Sequence, residues 1–176
     1  MTTLQIIGNV VSFFGAIAMV LVGFIKKREH IIGAQCVQFG LMGAGNLFLG
    51  GISGVVSNVV SIVRNLIVYK TDSLNIKLKI IFIAIQAVLT AIFDWGNVYG
   101  LLPLAAGIIF TFFLDTKDAR VLKVAIIAGE ILWLFYDIHN RNYASLVMDV
   151  ITLITNTIGI VMIQLSMNNG RLDKSK

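Results

Sequence analysis

The chain has 176 residues, of which 57% are hydrophobic and 13% are charged, and its mean hydropathy is +0.89. Soluble globular proteins carry about 25% charged residues, so this composition excludes an ordinary water-soluble domain and predicts a protein whose main partner is the lipid bilayer. The net charge of +5 does not indicate nucleic-acid binding, because the basic residues alternate with apolar runs instead of forming a patch.

Seven apolar segments are long enough to cross the hydrocarbon core, which takes about 20 residues of helix. With short loops they fill the chain, so we predict an all-α membrane protein with one transmembrane domain over residues 1–176. In chain order the segments are Leu4–Ile25, Ile31–Gly50, Ile52–Tyr69, Leu78–Trp95, Val98–Leu114, Val121–Asp137 and Tyr143–Met167.

The distribution of bases predicts the orientation, because cytoplasmic loops of membrane proteins are enriched in Lys and Arg. Seven crossings place all the bases but Arg64 and Arg141 on the side of the C-terminus. These bases are Lys26, Lys27, Arg28, Lys70, Lys77, Lys79, Lys117, Arg120, Lys123, Arg171, Lys174 and Lys176. We therefore expect a multi-pass membrane protein with its N-terminus outside and its C-terminus in the cytoplasm.

An internal repeat becomes visible when the chain is shifted by 91 residues, which places the third segment on the seventh. Segments one to three (residues 4–69) then correspond to segments five to seven (residues 98–167), and the fourth (residues 78–95) is a linker helix. Because one linker helix follows three crossings, the two triple-helix units run parallel. Parallel repeats with a solute site at their interface are a known transporter plan.

Polar residues of the third and seventh segments form two matching stripes, each with the spacing of one helix face. The stripes are Asn58, Ser61 and Asn65 on the third segment and Asp149, Thr152 and Asn156 on the seventh. One interpretation is that they are hydrogen-bonding contacts between helices. The other is that the asparagines and Asp149 contact a solute at the repeat interface.

Two ionisable residues lie deep within predicted spans, Arg64 on the third and Glu130 on the sixth. A charge at the bilayer centre costs at least about 2.5 kcal/mol, so each needs a partner or a water-filled cavity. Either the two pair with each other, or they face a cavity, with Arg64 as a ligand for anions or acceptor oxygens and Glu130 as a proton or cation site.

Two further residues of the second repeat have both a structural and a functional interpretation. Pro103, within the fifth segment, is either a hinge or a static kink. Trp133, within the sixth, is either a packing anchor or an aromatic surface in the cavity.

Catalytic and metal chemistry have little support in the sequence. Cys36 has no second cysteine, and His30 and His139 are far apart in the chain. A membrane enzyme needs a nucleophile with a base or a metal constellation. We therefore expect no enzyme activity, no metal and no cofactor.

Three short motifs and their order resemble the YgjV-like bacterial inner-membrane protein family, within the SWEET and PQ-loop superfamily of small-solute transporters. The motifs are Ser57–Ile67, with the sequence SNVVSIVRNLI, then Leu101–Pro103, and Ile138–Asn140 leading into the helix that carries Asn156. The resemblance implies a SWEET-like bundle of 3+1+3 helices whose central cavity is lined by Asn65 and Asn156. Ser12 stands where the second repeat has Pro103, so only one of the paired prolines of SWEET proteins is present.

These observations predict a facilitative carrier for a small polar or anionic metabolite that works by alternating access. The predicted solute ligands are Asn58, Arg64, Asn65, Asp149 and Asn156. The alternative is a membrane assembly or regulatory protein with the same fold and no transport activity. Both functions are compatible with a homo-oligomer.

Overall fold

A computed structural model describes residues 2–173, with side chains as far as Met167. Within residues 2–173 the chain forms seven α-helices and no strand, which confirms the all-α prediction. The predicted cytoplasmic bases Lys174 and Lys176, and the side chain of Arg171, lie outside the described residues. The helices are α1 (Thr3–Val22), α2 (Arg28–Leu49), α3 (Ile52–Thr71), α4 (Ile76–Phe93), α5 (Leu101–Phe113), α6 (Ala119–Asn140) and α7 (Tyr143–Asp173).

Five of these helices, α1, α2, α3, α4 and α7, are long and apolar enough to cross a membrane. The helix α5 has 13 residues and follows a 3-10 turn at Val98–Gly100, so it is about 20 Å long and shorter than the hydrocarbon core. The helix α6 has 22 residues, but its two bases and two acids give it more charged residues than any other helix. Segments five and six are therefore helical. Within them, α5 is too short and α6 carries too many charges to count as an apolar membrane span.

Side chains are sorted as expected of a protein dissolved in lipid. The outer surface carries exposed Leu, Ile, Val and Phe side chains on every helix. Arg64, Asn65 and Asn156 are instead fully buried. Lipid offers no hydrogen bonds, so polar groups are more stable inside the bundle than on its surface.

Six helices form a closed ring, and the seventh lies outside it. Going around the ring, α1 contacts α2, α2 contacts α3, α3 contacts α5, α5 contacts α6, α6 contacts α7, and α7 returns to α1. The helix α4 packs on the outside against α3 and α5, while α2 and α6 touch across the middle. Any central cavity is therefore lined by both halves of the chain.

The helix bounds repeat after the same 91 residues that relate the two halves of the sequence. Shifted in this way, α2 (Arg28–Leu49) coincides at both ends with α6 (Ala119–Asn140), and the first residue of α3 falls on the first residue of α7. The caps also correspond: Gly50 ends α2 with a φ of 79° and Arg141 ends α6 with a φ of 56°, both left-handed. The repeat is therefore present in the backbone as well as in the sequence.

Polar caps fix the starts of several helices where the chain leaves the membrane. Thr2 and Gln5 form a reciprocal capping box at α1, and Asn75 accepts from the backbone N–H of Leu78 at the start of α4. At the start of α6, hydrogen bonds from Arg120 hold the pKa of the Asp118 carboxyl below its usual value. These caps keep the loops short and the ring tightly connected.

The left-handed cap at Gly50 gives a stability prediction. In Gly50→Ala the new Cβ must adopt a conformation that costs an L-residue about 1 kcal/mol, so the free energy of unfolding should fall by about that amount. Gly40→Ala is the control, because Gly40 lies in α2 with no atom within 4 Å of an added Cβ, and alanine there should raise stability by about 0.5–1 kcal/mol. Thermal unfolding in detergent measures both. The prediction is wrong if Gly50→Ala is as stable as Gly40→Ala.

Candidate functional site

A small polar cavity of about 30 Å³ lies inside the ring and is lined by residues of all six ring helices. Its lining includes Met19 of α1, Gln35 of α2, Asn58 of α3, Gly107 of α5 and Glu130 of α6, together with Asp149 of α7. A cavity of this volume holds about two water molecules. The axis of the bundle is therefore neither filled by side chains nor open to a larger solute in this conformation.

One wall of the cavity carries three carboxyl groups, which we call the acidic wall: Glu130 and Asp137 of α6 and Asp149 of α7. Glu130 and Asp137 are seven residues apart, so two helical turns bring them to the same face of α6. Asp149 is 1% exposed. It interacts electrostatically with both of the other two carboxyl groups.

Few hydrogen-bond donors reach the acidic wall. Asn142 donates to Oδ1 of Asp137 at 3.3 Å, and the Asp137 and Asp149 carboxyl groups hydrogen-bond to each other, which requires one of the two to carry a proton. Oε2 of Glu130 is buried without a partner. A ligand that supplies N–H or O–H groups would satisfy this acceptor.

The opposite wall carries amide and hydroxyl groups. Asn58 lines the cavity while its Nδ2 donates to the carbonyl of Gly54 at 2.9 Å, and Ser57 and Ser61 lie on the same helix. From α2, Gln35 and Gln38 complete this wall. The pair Asn58 and Asp149, which the 91-residue shift relates, thus contributes one amide and one carboxyl group to the same cavity.

Arg64 does not line the cavity, although it was a predicted solute ligand. Its Nη1 donates to the carbonyl of Gly107 at 3.1 Å and to Oγ1 of Thr111 at 2.8 Å, and its Nη2 donates to Oγ of Ser61 at 3.1 Å. The guanidinium also lies over the ring of Phe110, 5.6 Å from its centre. Arg64 therefore joins α3 to α5, and no salt bridge among the described residues connects it to Glu130.

Asn65 and Asn156 also lie behind the lining. Nδ2 of Asn65 donates to Oε1 of Gln35 at 3.3 Å, and Nδ2 of Asn156 donates to the carbonyl of Thr152 in its own helix at 3.0 Å. In this conformation both side chains make contacts within the bundle. The part of each predicted stripe that reaches the cavity is the end with Asn58 and Asp149.

Trp133 lines the cavity and meets the ring of Tyr136 edge to face, with ring centres 5.4 Å apart. Tyr136 is in turn fixed by Ser53 Oγ at 3.1 Å and by the backbone N–H of Gly54 at 2.8 Å. Both interpretations of Trp133 thus have a basis, because it packs against Tyr136, which hydrogen bonds fix in place, and it also borders the cavity.

Pro103 lies in the first turn of α5, because the helix begins at Leu101. A proline in the first turn removes no internal helical hydrogen bond. Its carbonyl accepts from Ser57 Oγ at 3.2 Å and from Gln86 Nε2 at 3.0 Å. In this conformation Pro103 is thus an anchor for α3 and α4, and the hinge stays a prediction.

Sequence reasoning missed Gln35, Gln38 and Gln86. Glutamine occurs once or twice on an otherwise apolar helix, and its long side chain can point in several directions. The signal that could have found Gln35 and Gln38 is their spacing of three residues, which is one helix face.

Within the described residues, no group of three His, Cys, Asp or Glu side chains is close enough to hold a metal ion. The three acids of the acidic wall therefore do not form a metal site.

The comparison with protein families decides the membership of the chain. The family model Imp-YgjV, described as a bacterial inner membrane protein, matches residues 6–166. The chain belongs to this family. No curated protein and no solved structure matches it. It is therefore a multi-pass protein of the bacterial inner membrane, as the motifs predicted.

The contacts of Arg64 give a prediction about stability. Thr111→Val removes the acceptor at 2.8 Å at almost constant shape, and leaving a buried charged donor short of one partner should lower the free energy of unfolding by about 1–3 kcal/mol. Thr157→Val is the control, because Thr157 is exposed and bonds only to its own helix, and its effect should stay within about 0.5 kcal/mol. Thermal unfolding of both variants in detergent is the measurement. Equal stabilities would contradict a structural role for Arg64.

Proposed function

We propose that this member of the Imp-YgjV family is a carrier for a small polar solute, which binds in the central cavity and crosses by alternating access. The observation that carries the proposal is the cavity itself, because residues from all six ring helices surround one central space and four of these helices, α2, α3, α6 and α7, place polar or charged side chains in it. Polar groups at the interface of two repeats in a membrane protein commonly mark the solute site.

The helix contacts support two parallel triple-helix units, in a SWEET-like 3+1+3 arrangement with α4 as the linker. Exchanging α1 with α5, α2 with α6 and α3 with α7 leaves the order of contacts around the ring unchanged. The helix bounds obey the same exchange. Two units that meet mainly at α3 with α5, α1 with α7 and α2 with α6 can rock about the cavity. The superfamily placement itself stays a prediction.

The lining favours a neutral polar solute over an anionic one. Arg64, the base expected to bind an anion, is engaged elsewhere, and the lining contains three carboxyl groups and no base. An anion in this cavity would be repelled. Asn58, Gln35 and Gln38 supply the donors and acceptors that recognise hydroxyl and amide groups.

Two cations connect the units at the end where we place the cytoplasm from the distribution of bases. Lys123 of α6 is buried, inside its helix and not in a loop, and its Nζ donates to the carbonyl of Gly23 at 2.7 Å, at the end of α1. Arg28 of α2 donates to the carbonyl of Leu114 at 3.4 Å, at the end of α5. Gly23 and Leu114 are equivalent under the 91-residue shift, so each unit caps the other.

These reciprocal caps hold the cytoplasmic end closed, and breaking them should open it. In a Cys36→Ser protein with Met19→Cys as the reporter in the cavity, Lys123→Met should speed labelling by a polar maleimide from the cytoplasmic side about tenfold. A charge-assisted hydrogen bond contributes about 1.5–3 kcal/mol, which is at least that factor. Arg28→Gln should act in the same direction.

Lys117→Met is the matched control, because Lys117 is an exposed base at the same end of the bundle. It should leave the labelling rate unchanged. If Lys123→Met and Arg28→Gln label no faster than Lys117→Met, the caps do not close the cavity.

The alternative function is a membrane assembly or regulatory protein, and the small volume of about 30 Å³ favours it. A carrier with this cavity must widen to admit a metabolite, whereas an assembly protein need not. Uptake measurements separate the two functions.

Proteoliposomes tested with D-glucose, L-serine, uridine and lactate should take up at least one of the three neutral or zwitterionic solutes faster than empty liposomes, and not lactate. Asn58→Ala should reduce that uptake at least tenfold, because its side chain borders the cavity. Asn65→Ala, on the same helix but behind the lining, should change it less than about threefold at equal amounts of folded protein.

Two results would contradict the proposal. Uptake no faster than in empty liposomes for every solute would favour the assembly function. Equal loss in Asn58→Ala and Asn65→Ala would place the solute elsewhere.

A further inference from the structure

The end of the bundle opposite the cytoplasmic caps is also held by hydrogen bonds between the two units. It contains the starts of α1, α3, α5 and α7 and the ends of α2 and α6. We call it the outer end, because the distribution of bases places it on the outside of the membrane. Tyr136 and Asn9 make these bonds.

Tyr136, on α6 of the second unit, reaches the first turn of α3 in the first unit. Its hydroxyl oxygen accepts hydrogen bonds from the backbone N–H of Gly54 at 2.8 Å and from Oγ of Ser53 at 3.1 Å. An added Cβ would lie 2.7 Å from this oxygen at Gly51 and 2.9 Å from it at Gly54. The tyrosine therefore depends on two positions without a side chain to come this close.

Asn9, on α1 of the first unit, makes the reciprocal contact. Its Oδ1 accepts a hydrogen bond from the backbone N–H of Ala144 at 3.1 Å, in the first turn of α7. Ala144 corresponds to Ser53 under the 91-residue shift. N–H groups in the first turn of a helix have no acceptor within that helix. Each unit thus supplies acceptors to the start of the third helix of the other.

The contact of Tyr136 with Gly54 is joined to the central cavity from both sides. On α3, Asn58 lines the cavity and donates to the carbonyl of Gly54 at 2.9 Å. On α6, Trp133 lines the cavity and meets the ring of Tyr136 edge to face at 5.4 Å. A solute that contacts Asn58 or Trp133 therefore touches a direct neighbour of this contact.

We propose that Tyr136 and Asn9 form the outer gate of the carrier, and that their contacts must break before the cavity opens to the outside. The inference builds on the proposed function, because alternating access requires a gate at each end. With the caps of Lys123 and Arg28 at the other end, the units are hydrogen-bonded to each other at both ends in this conformation. Solute binding at Asn58 and Trp133 acts on the outer gate from within the cavity.

Labelling of a cavity cysteine from each side of the membrane tests the gate. The reporter is Met42→Cys in a Cys36→Ser protein, labelled with a polar maleimide in right-side-out and in inverted vesicles. Tyr136→Phe removes two hydrogen bonds but keeps the ring, so labelling from the outer side should become about tenfold faster. Asn9→Leu removes one bond between the units and should speed it about threefold. From the cytoplasmic side neither variant should label faster, because the two ends open in turn.

Tyr99→Phe is the matched control. Tyr99 lies at the same end, and its ring stacks on His139 within its own unit, with ring centres 3.9 Å apart. This variant should leave both labelling rates unchanged. The proposal is wrong if Tyr136→Phe or Asn9→Leu labels no faster than Tyr99→Phe from the outer side. Equal acceleration from both sides overturns it as well, because the substitution then loosens the whole bundle.

A second variant reaches the same contact from the first unit, so the test does not depend on Tyr136→Phe alone. Gly51→Ala places its Cβ against the tyrosine hydroxyl and should also speed labelling from the outer side. Combined with Tyr136→Phe it should add little, because the hydroxyl that it displaces is gone. Fully additive effects would contradict a gate at this hydroxyl.

The labelling and uptake measurements separate this inference from the proposed function. Solute uptake with unchanged labelling of Tyr136→Phe refutes only the gate. Faster labelling from the outer side alone, without uptake of any solute, refutes only the proposed function.

Discussion

The structure depends on one constraint: lipid cannot hydrogen-bond, so every polar side chain within the spans must find its partner inside the ring. The chain meets this constraint in two ways. Arg64, Lys123 and Tyr136 are engaged by carbonyls, hydroxyls or backbone N–H groups of neighbouring helices and hold the ring together. Glu130 and Asp149 instead border the central cavity, where Oε2 of Glu130 has no partner. The first group forms the frame, and the second is available for a ligand.

The two halves share a backbone plan but differ in chemistry. Where the first half has Asn46 and Asn58, the second has Asp137 and Asp149, so amides in one half correspond to carboxyl groups in the other. A duplicated bundle with identical halves would have a symmetric cavity. Divergence at these positions produces a cavity with an amide wall and an acidic wall.

Much of the fold could be predicted from the sequence, because helix bounds in lipid follow from apolar length and from caps. The 91-residue repeat in the sequence predicted that α2 corresponds to α6 and α3 to α7, and the helix bounds agree. The start of α5 was missed because Val98–Gly100 is apolar but forms a 3-10 turn. Amino-acid composition does not distinguish a 3-10 turn from the first turn of an α-helix.

The site was only partly predictable. Spacing placed Asn58, Ser61 and Asn65 on one face of α3, but Asn65 is opposed by Gln35, and Arg64 is long enough to reach Thr111 on α5. Which end of a polar stripe faces open space depends on the neighbouring helices, and one helix alone does not contain that information. Asp149 was predicted because the 91-residue shift places it on Asn58, and in the structure both border the cavity.

The central claim is that the cavity is a wet site that both sides of the membrane reach in turn. Accessibility of a cysteine at position 42 tests it most directly, because Met42 lines the cavity while Val59 faces outward and is 54% exposed on the lipid surface. In a Cys36→Ser protein, Met42→Cys should react with a charged thiosulfonate added from either side of the membrane, and Val59→Cys should react from neither. If Met42→Cys reacts from neither side, the interior is a closed core and the account is wrong.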